Sequence, residues 1–286
     1  MTVGSEYTGP LRPGMSVVSV GDSFTEGVGD PYPPTGPEAD PGADQGADPA
    51  ESPNVVFRGW ADRLAEHLAD HLGEIRYANL AVRGKLMRQI VTDQVPLALE
   101  MAPDLVTLCA GGNDLLRPAG DPERMAKILD ATVARLRAQG SQVVLFTGVN
   151  VATGYMRGTI GLFARYYMNV RAIADKYDCF LVDQWSMGVL TDSRAWDDDR
   201  LHMSPEGHRR LALRVAEVLG VPTEERWDAP WPETTPVSWT RARREDLTWV
   251  RESLGPWIGR RLTGRSSGDT VTAKRPELTR LTKDRS

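Results

Sequence analysis

Serine, aspartate, histidine and asparagine residues occur at separated points of this chain in patterns that suit nucleophilic chemistry. Ser23 follows Gly21-Asp22, Asn113 follows two glycines, and His202 follows Asp199 by three residues. A serine hydroxyl becomes a nucleophile when an imidazole removes its proton, and a carboxylate can orient that imidazole. An amide donor can then hold the negative charge that develops on a carbonyl oxygen. These residue types predict attack on a carbonyl group, provided that the fold brings them together.

Each of these blocks also has an ordinary structural interpretation. Serine is a common helix N-cap, so Ser23 could simply begin a helix. Asn113 could belong to a turn, Gly84 could be only a loop glycine, and His202 could be a surface residue ahead of a helix. The prediction of a site therefore depends on the combination and order of the blocks, and not on any one of them.

The blocks lie just after predicted strands or just before the last predicted helix. Apolar runs predict five strands: Ser16–Val20, Ile75–Leu80, Leu105–Ala110, Gln142–Thr147 and Cys179–Val182. Apolar residues at helical spacing predict helices from Phe57 to Leu72, from Met125 to Leu136 and from Leu211 to Leu219. Strands alternating with helices predict an α/β fold with a parallel sheet covered on both faces. Functional groups of such folds collect at the carboxyl ends of the strands.

The overall composition is that of an ordinary soluble protein. The 286 residues are 41% hydrophobic and carry a formal net charge of -5, so no global basic excess points to nucleic acid. The charge is unevenly spread: residues 1–54 hold nine acidic residues and one basic, whereas residues 241–286 hold twelve basic and six acidic. The second region is expected to be a solvated basic tail, with binding to an anionic surface or nucleic acid as the alternative.

The sequence also gives expectations about compartment. Residues 1–14 lack a basic start followed by an apolar run, and no stretch approaches the roughly 18 apolar residues of a membrane span. A cytoplasmic location is the resulting expectation. Cys109 and Cys179 lie in predicted strands and are expected to be inert core thiols, with a disulfide or a reactive thiol as alternatives.

Composition divides the chain into segments. We expect an N-terminal extension at 1–14, a main domain at 15–221 that contains an acidic Pro/Gly/Ala-rich insertion loop at 30–54, a Trp-rich appendage at 222–263 and a disordered basic tail at 264–286. The insertion is expected to be a mobile surface loop, with a lid as the alternative. The tryptophans are expected to pack the appendage onto the main domain, with substrate lining or contact with a partner or membrane as alternatives.

Taken together, the blocks resemble those of the SGNH hydrolase family, also called GDSL esterases and lipases. The resemblance covers roughly residues 15–220 and is carried by four blocks: Gly21-Asp22-Ser23, Asn79 to Gly84, Gly111-Gly112-Asn113-Asp114 and Asp199-Arg200-Leu201-His202. It implies a flavodoxin-like three-layer α/β/α sandwich around a central five-stranded parallel sheet, with no metal or organic cofactor. Phe24 stands where the family has the leucine of its second name, a change that touches no catalytic atom.

The resemblance also implies roles for individual residues. Ser23 would be the nucleophile, His202 the general base and acid, and Asp199 the carboxylate that orients the imidazole. The oxyanion hole would consist of the backbone N–H groups of Ser23 and Gly84 and the side chain of Asn113.

The resulting functional prediction is serine-dependent hydrolysis of a carboxylic ester with a small-molecule, lipid or carbohydrate alcohol or acid part. Acyl transfer or thioester cleavage on the same machinery and a non-catalytic binding protein of the same fold remain alternatives. A metal-dependent phosphoesterase is a further one, because Gly-Asp and Gly-Asn-Asp motifs also occur in such enzymes. The sequence predicts neither the substrate nor the oligomeric state.

Overall fold

A mixed sheet of six strands forms the centre of the protein. The computed structural model describes residues 11–33, 55–117, 120–150, 158–233, 268 and 270–283. The strands are β1 (Ser16–Gly21), β2 (Glu74–Asn79), β3 (Leu105–Cys109), β4 (Gln142–Phe146), β5 (Phe180–Val182) and β6 (Arg275–Thr282). Their order in the sheet is β5-β4-β3-β1-β2-β6. The first five strands are parallel, whereas β6 pairs with β2 in the antiparallel direction.

Helices cover both faces of this sheet. They are α1 (Ser23–Glu26), α2 (Gly59–Leu72), α3 (Met87–Gln89), a π-helical turn (Ile90–Gln94), α4 (Val95–Met101), α5 (Gly112–Leu115), α6 (Pro122–Ala138), α7 (Ile160–Lys176) and α8 (Pro205–Val218). Short 3₁₀ turns connect β5 to α8. None of the helices in the described ranges is long and apolar enough to cross a membrane.

Two apolar clusters define the three layers. One joins α2 and α8 to one face of the sheet, with Trp60, Leu64, Val215 and Leu211 among its fully buried members. The other joins the π-helical turn, α4, α6 and α7 to the opposite face. Successive residues of β1, such as Val17 and Val18, belong to opposite clusters, as the pleat of a strand requires. The predicted α/β/α sandwich is therefore confirmed.

The sixth strand corrects the expectation for the C-terminal segment. Residues 264–286 were expected to be disordered, yet Arg275–Thr282 form β6 along the edge of β2. The segment is rich in charge, which argues against burial, but pairing satisfies its backbone groups. Its apolar side chains also contribute, because Leu281 packs against one apolar cluster and Leu278 against the other. Tertiary contacts therefore outweigh a weak local preference.

Two of the tryptophans in the Trp-rich segment pack against the main domain. Trp227 and Trp231 lie against the cluster formed by α2 and α8. The guanidinium of Arg210 in α8 is 4.2 Å from the ring centroid of Trp231. The sequence of this segment also predicts a helix from about Arg243 to Leu262. That range, the other tryptophans of the segment and most of the predicted insertion loop at 30–54 lie outside the described residues.

Candidate active site

The turn after β1 carries Ser23 and is capped by its neighbour. Asp22 is the N-cap of α1, and Ser23 is the first residue of that helix. The Asp22 carboxylate accepts a hydrogen bond from the backbone N–H of Phe24 at 3.1 Å. The capping role that the sequence left open for Ser23 therefore belongs to Asp22. The interpretation of Ser23 as a simple helix cap is wrong.

Gly21 is held in place by close packing and by a buried amide. A Cβ at this position would lie 2.5 Å from Oγ1 of Thr25 and 2.7 Å from the carbonyl oxygen of Cys109. The backbone N–H of Gly21 donates to Oε1 of Gln94 at 2.8 Å, and its carbonyl accepts from Nε2 of Gln94 at 2.9 Å. Because Gln94 is buried, these two hydrogen bonds hold the end of β1, and with it the Ser23 turn, in one position.

Asp22 connects the Ser23 turn to Asn113. Its second carboxylate oxygen accepts a hydrogen bond from Nδ2 of Asn113 at 3.1 Å. Burial raises the pKa of Asp22 to about 6, although the backbone N–H of Phe24 and the charge of His202 act in the opposite direction. The side chain at position 22 thus joins the Ser23 turn to the amide of Asn113, and its pKa responds to the charge of His202.

Asn113 lies in α5, and its amide faces two acceptors. Besides the bond to Asp22, Nδ2 donates to the carbonyl oxygen of Lys85 at 3.1 Å. The neighbouring Asp114 accepts the backbone N–H of Met87 at 2.9 Å. Both contacts tie α5 to the loop after β2. An amide group has two hydrogens, so a ligand oxygen that approaches Nδ2 must share or replace one of these acceptors.

A buried ion pair between Arg83 and Glu26 connects the Gly84 loop to α1. The φ of Gly84 is 71°, in the left-handed region that favours glycine. The preceding Arg83 donates from Nε to Oε1 of Glu26 at 2.9 Å and from its backbone N–H to Oε2 at 2.6 Å. The two side chains are only 2% and 5% exposed. Because Glu26 is the last residue of α1, this pair fixes the Gly84 loop relative to the helix that begins with Ser23.

The turn before α8 places an imidazole against a carboxylate. Nδ1 of His202 lies 2.6 Å from Oδ2 of Asp199. The other oxygen of Asp199 accepts the backbone N–H groups of Leu201 and His202 at 2.8 and 2.9 Å. Burial alone would raise the pKa of Asp199, but the His202 charge and these hydrogen bonds lower it to about 2. With Asp199 ionised, Nδ1 of His202 carries the hydrogen and Nε2 is the basic nitrogen.

The His202 turn packs directly on the segment that follows α1. A Cβ on Gly29 would lie 2.1 Å from the carbonyl oxygen of Met203, so the two backbones are in contact. The pKa of Asp22, which burial dominates, also responds to the charge of His202. The His202 turn therefore lies beside the Ser23 turn, at the carboxyl end of β1.

The profile of the GDSL-like lipase/acylhydrolase family matches residues 19–210, about two thirds of the chain. The chain belongs to this family. The match spans all four predicted blocks and ends inside α8, so β6 lies beyond it.

Solved structures of GDSL and SGNH esterases share the fold of this GDSL-family protein. The acetylxylan esterase Axe2 from Geobacillus stearothermophilus has 21% sequence identity and a TM-score of 0.58, covering 76% of this chain and 98% of its own. TesA has 26% identity and a TM-score of 0.53, covering 71% of this chain and 97% of its own. No curated protein sequence matches the chain significantly.

Sequence patterns did not identify several residues that hold the site of this GDSL-family protein. Gln94 and the Glu26–Arg83 pair bond to backbone or side chains more than 50 residues away, and no local pattern marks such partners. Asp22 could have been identified as a cap, because aspartate is a preferred residue immediately before a helix. Within the described ranges, no three His, Cys, Asp or Glu side chains gather in a group that could hold a metal ion.

Proposed function

We propose that this GDSL-family protein hydrolyses carboxylic esters through an acyl-enzyme, with Ser23 as the nucleophile and His202 as the base. The observation that carries the proposal is the 2.6 Å contact between His202 and Asp199, in a turn that packs beside the Ser23 turn. A carboxylate on Nδ1 fixes the imidazole tautomer and stabilises the imidazolium that forms during proton transfer.

The reaction begins when Nε2 of His202 removes the hydroxyl proton of Ser23 and the serine oxygen attacks the ester carbonyl. The resulting imidazolium then protonates the leaving alcohol oxygen as the ester C–O bond breaks. The same imidazole then removes a proton from water as the water oxygen attacks the acyl-serine, and it returns that proton to Oγ of Ser23 as the acyl–oxygen bond breaks and the acid leaves. Asp199 stays ionised throughout, in keeping with its lowered pKa.

The oxyanion would be held by the backbone N–H groups of Ser23 and Gly84 and by Nδ2 of Asn113. Such donors act best when they are positioned before the reaction begins. The Glu26–Arg83 ion pair and the two acceptors of Asn113 supply that preorganisation. An oxyanion would compete with the Asp22 carboxylate or the Lys85 carbonyl for one hydrogen of the amide.

The substrate class is an ester with a small-molecule, carbohydrate or lipid part. Axe2 acts on acetylated xylan, so acetyl esters are suitable first substrates. A panel of chromogenic esters with acyl chains of increasing length would define the acyl preference of this chain.

The test compares Ser23→Ala with Ser186→Ala. Ser186 is an exposed serine whose hydroxyl donates to the carbonyl of Asp183 in its own turn, so its loss serves as the matched control. We expect Ser23→Ala to lose at least about 10³-fold in kcat/KM for the preferred ester and to lose labelling by a fluorophosphonate probe. Ser186→Ala should retain both. Full activity in Ser23→Ala would contradict the proposal.

A further inference from the structure

The C-terminal strap, defined as residue 268 together with residues 270–283, lies outside the family match but touches the candidate site. Its strand β6 runs antiparallel to β2, with Arg275 opposite Asn79 and Thr282 opposite Glu74. The start of β6 therefore lies at the carboxyl end of β2, on the same edge of the sheet as the Ser23 turn. The residues just before β6 are in the right place to contact the site.

Lys274 makes the first of these contacts through a buried ammonium group. Nζ donates to the backbone carbonyls of Glu26 at 2.7 Å, Phe57 at 2.6 Å and Arg58 at 2.9 Å. It also lies 3.0 Å from Oδ1 of Asp62, and the side chain of Lys274 is 7% exposed. A single cation thus binds the last residue of α1 to the two residues that precede α2.

The charge of this ammonium is balanced inside the protein. Asp62 is 2% exposed and also lies 3.3 Å from Nε of Arg275. Its carboxylate accepts the hydroxyl groups of Tyr77 and Tyr32, each at 2.9 Å. Removing one partner of a buried ion pair is strongly destabilising, because the other charge then stays buried without an opposite charge. The position of Lys274 is therefore well determined.

Gly268 makes the second contact, on the Gly84 side. A Cβ at Gly268 would lie 2.0 Å from the carbonyl oxygen of Arg83 and 3.1 Å from Cγ1 of Val82. This carbonyl belongs to the peptide bond whose N–H is that of Gly84. The strap thus touches both the peptide of the proposed oxyanion donor and the end of the helix that carries the proposed nucleophile.

We propose that the C-terminal strap positions the catalytic groups, with Lys274 and Gly268 as positioning residues for Ser23 and Gly84. This inference rests on the proposed ester hydrolysis. Lys274 holds the carbonyl end of α1, and Gly268 packs against the peptide that precedes Gly84. The Glu26–Arg83 ion pair connects these two points. A displacement of about 1 Å in such groups is enough to slow the chemical step by roughly 10²-fold.

The experiment measures kcat and KM for an acetyl ester in Lys274→Met, Lys274→Arg, Gly268→Ala and the control Arg280→Met. Arg280 lies in the same strand, where its exposed guanidinium pairs with Glu74 far from the site. Lys274→Met and Gly268→Ala should lower kcat by roughly 10- to 100-fold with KM changed less than about threefold. Lys274→Arg should recover part of the loss, and Arg280→Met should leave kcat unchanged.

Active-site titration with a fluorophosphonate and a thermal melt separate positioning from stability. If Lys274→Met and Gly268→Ala lower only the melting temperature and keep the wild-type kcat per labelled site, the inference is wrong. If Lys274→Met does not fold, Gly268→Ala decides the question in the same way. A wild-type protein that lacks esterase activity and Ser23 labelling would instead overturn the proposed function, and the strap's role in catalysis with it.

Discussion

His202 and His208 are six residues apart on the chain but lie in opposite surroundings. His202 is in the turn before α8, partly exposed, with Nδ1 against the Asp199 carboxylate. His208 is inside α8, fully buried, where Nδ1 accepts the backbone N–H of Trp60 at 3.2 Å and Nε2 lies 3.0 Å from the carbonyl oxygen of Val28.

These contacts give the two imidazoles different protonation chemistry. Burial lowers the pKa of His208 to about 4, so this ring is neutral at pH 7 and uses both nitrogens for backbone groups. His202 instead has the Asp199 carboxylate at Nδ1, which can stabilise an imidazolium when proton transfer forms one. The comparison teaches that the partner of the ring, and not its position near the site, decides whether a histidine can transfer a proton.

The largest expected effect is a loss of activity without a comparable loss of stability, and two matched histidine variants test it. His202→Asn should lower kcat/KM by at least about 10³-fold while changing the free energy of unfolding by about 1 kcal/mol or less, because the pair is partly exposed. His208→Asn should do the opposite. Its shorter side chain leaves Trp60 or Val28 without a partner, at a cost of about 2–3 kcal/mol, with kcat per folded molecule retained.

Ester turnover and urea unfolding at pH 7 test this pair. Equal losses of kcat per folded molecule in the two variants would contradict the comparison. A stable but fully active His202→Asn protein would also contradict the proposed base.

The pH dependence of stability should sharpen the same contrast. The pKa of His208 is about 4 in the folded protein and has its ordinary value of 6.5 in the unfolded chain. As the pH falls, His208 is therefore protonated in the unfolded chain before it is protonated in the folded protein. The contribution of His208 is therefore complete above pH 6.5 and decreases toward pH 4, by about 3 kcal/mol in total. The stability difference between wild type and His208→Asn should shrink by that amount.

The useful measurement is the difference in unfolding free energy between wild type and His208→Asn. Each protein's own stability also depends on Asp22, whose effect on stability is opposite to that of His208 as the pH falls. Burial raises the pKa of Asp22 to about 6, so its folded form gains the proton first and stability rises as the pH falls from 6 toward 3.8. This contribution is common to both proteins and cancels in the subtraction. Urea unfolding at several pH values between 7 and 4 would measure the difference. A constant gap over that range would show that the folded pKa of His208 is not lowered.

Contacts between residues close together in the sequence could be predicted, whereas contacts between residues far apart could not. Asp199 and His202 are three residues apart, so their contact can be predicted from the geometry of one turn. The five parallel strands are short apolar runs with clear ends, as expected of strands that are buried on both faces. α7 was not predicted, although Phe163, Tyr166, Val170 and Ile173 have helical spacing and are buried.

Contacts between distant residues could not be predicted in this way. Gln94 bonds to Gly21 across 73 residues, and Lys274 bonds to Glu26 across 248. Both are polar side chains that look solvated in the sequence, and only the closed fold gives them buried partners. The same reason explains β6, whose charged sequence forms a strand because the edge of β2 is available to it.

The smallest expected effect concerns Phe24, whose ring connects the Ser23 turn to His208. Its ring centroid lies 6.2 Å from that of His208 at an interplanar angle of 43°. Phe24→Leu should cost about 1 kcal/mol of stability through loss of this ring contact and of packing. It should leave kcat within about twofold, because the turn is held by the cap at Asp22 and by Gln94. Combining Phe24→Leu with His208→Asn in a double-mutant cycle would isolate the ring contact. A kcat that falls tenfold in Phe24→Leu alone would mean that the Phe24 ring also positions Ser23, and that Asp22 and Gln94 are not sufficient to hold the turn.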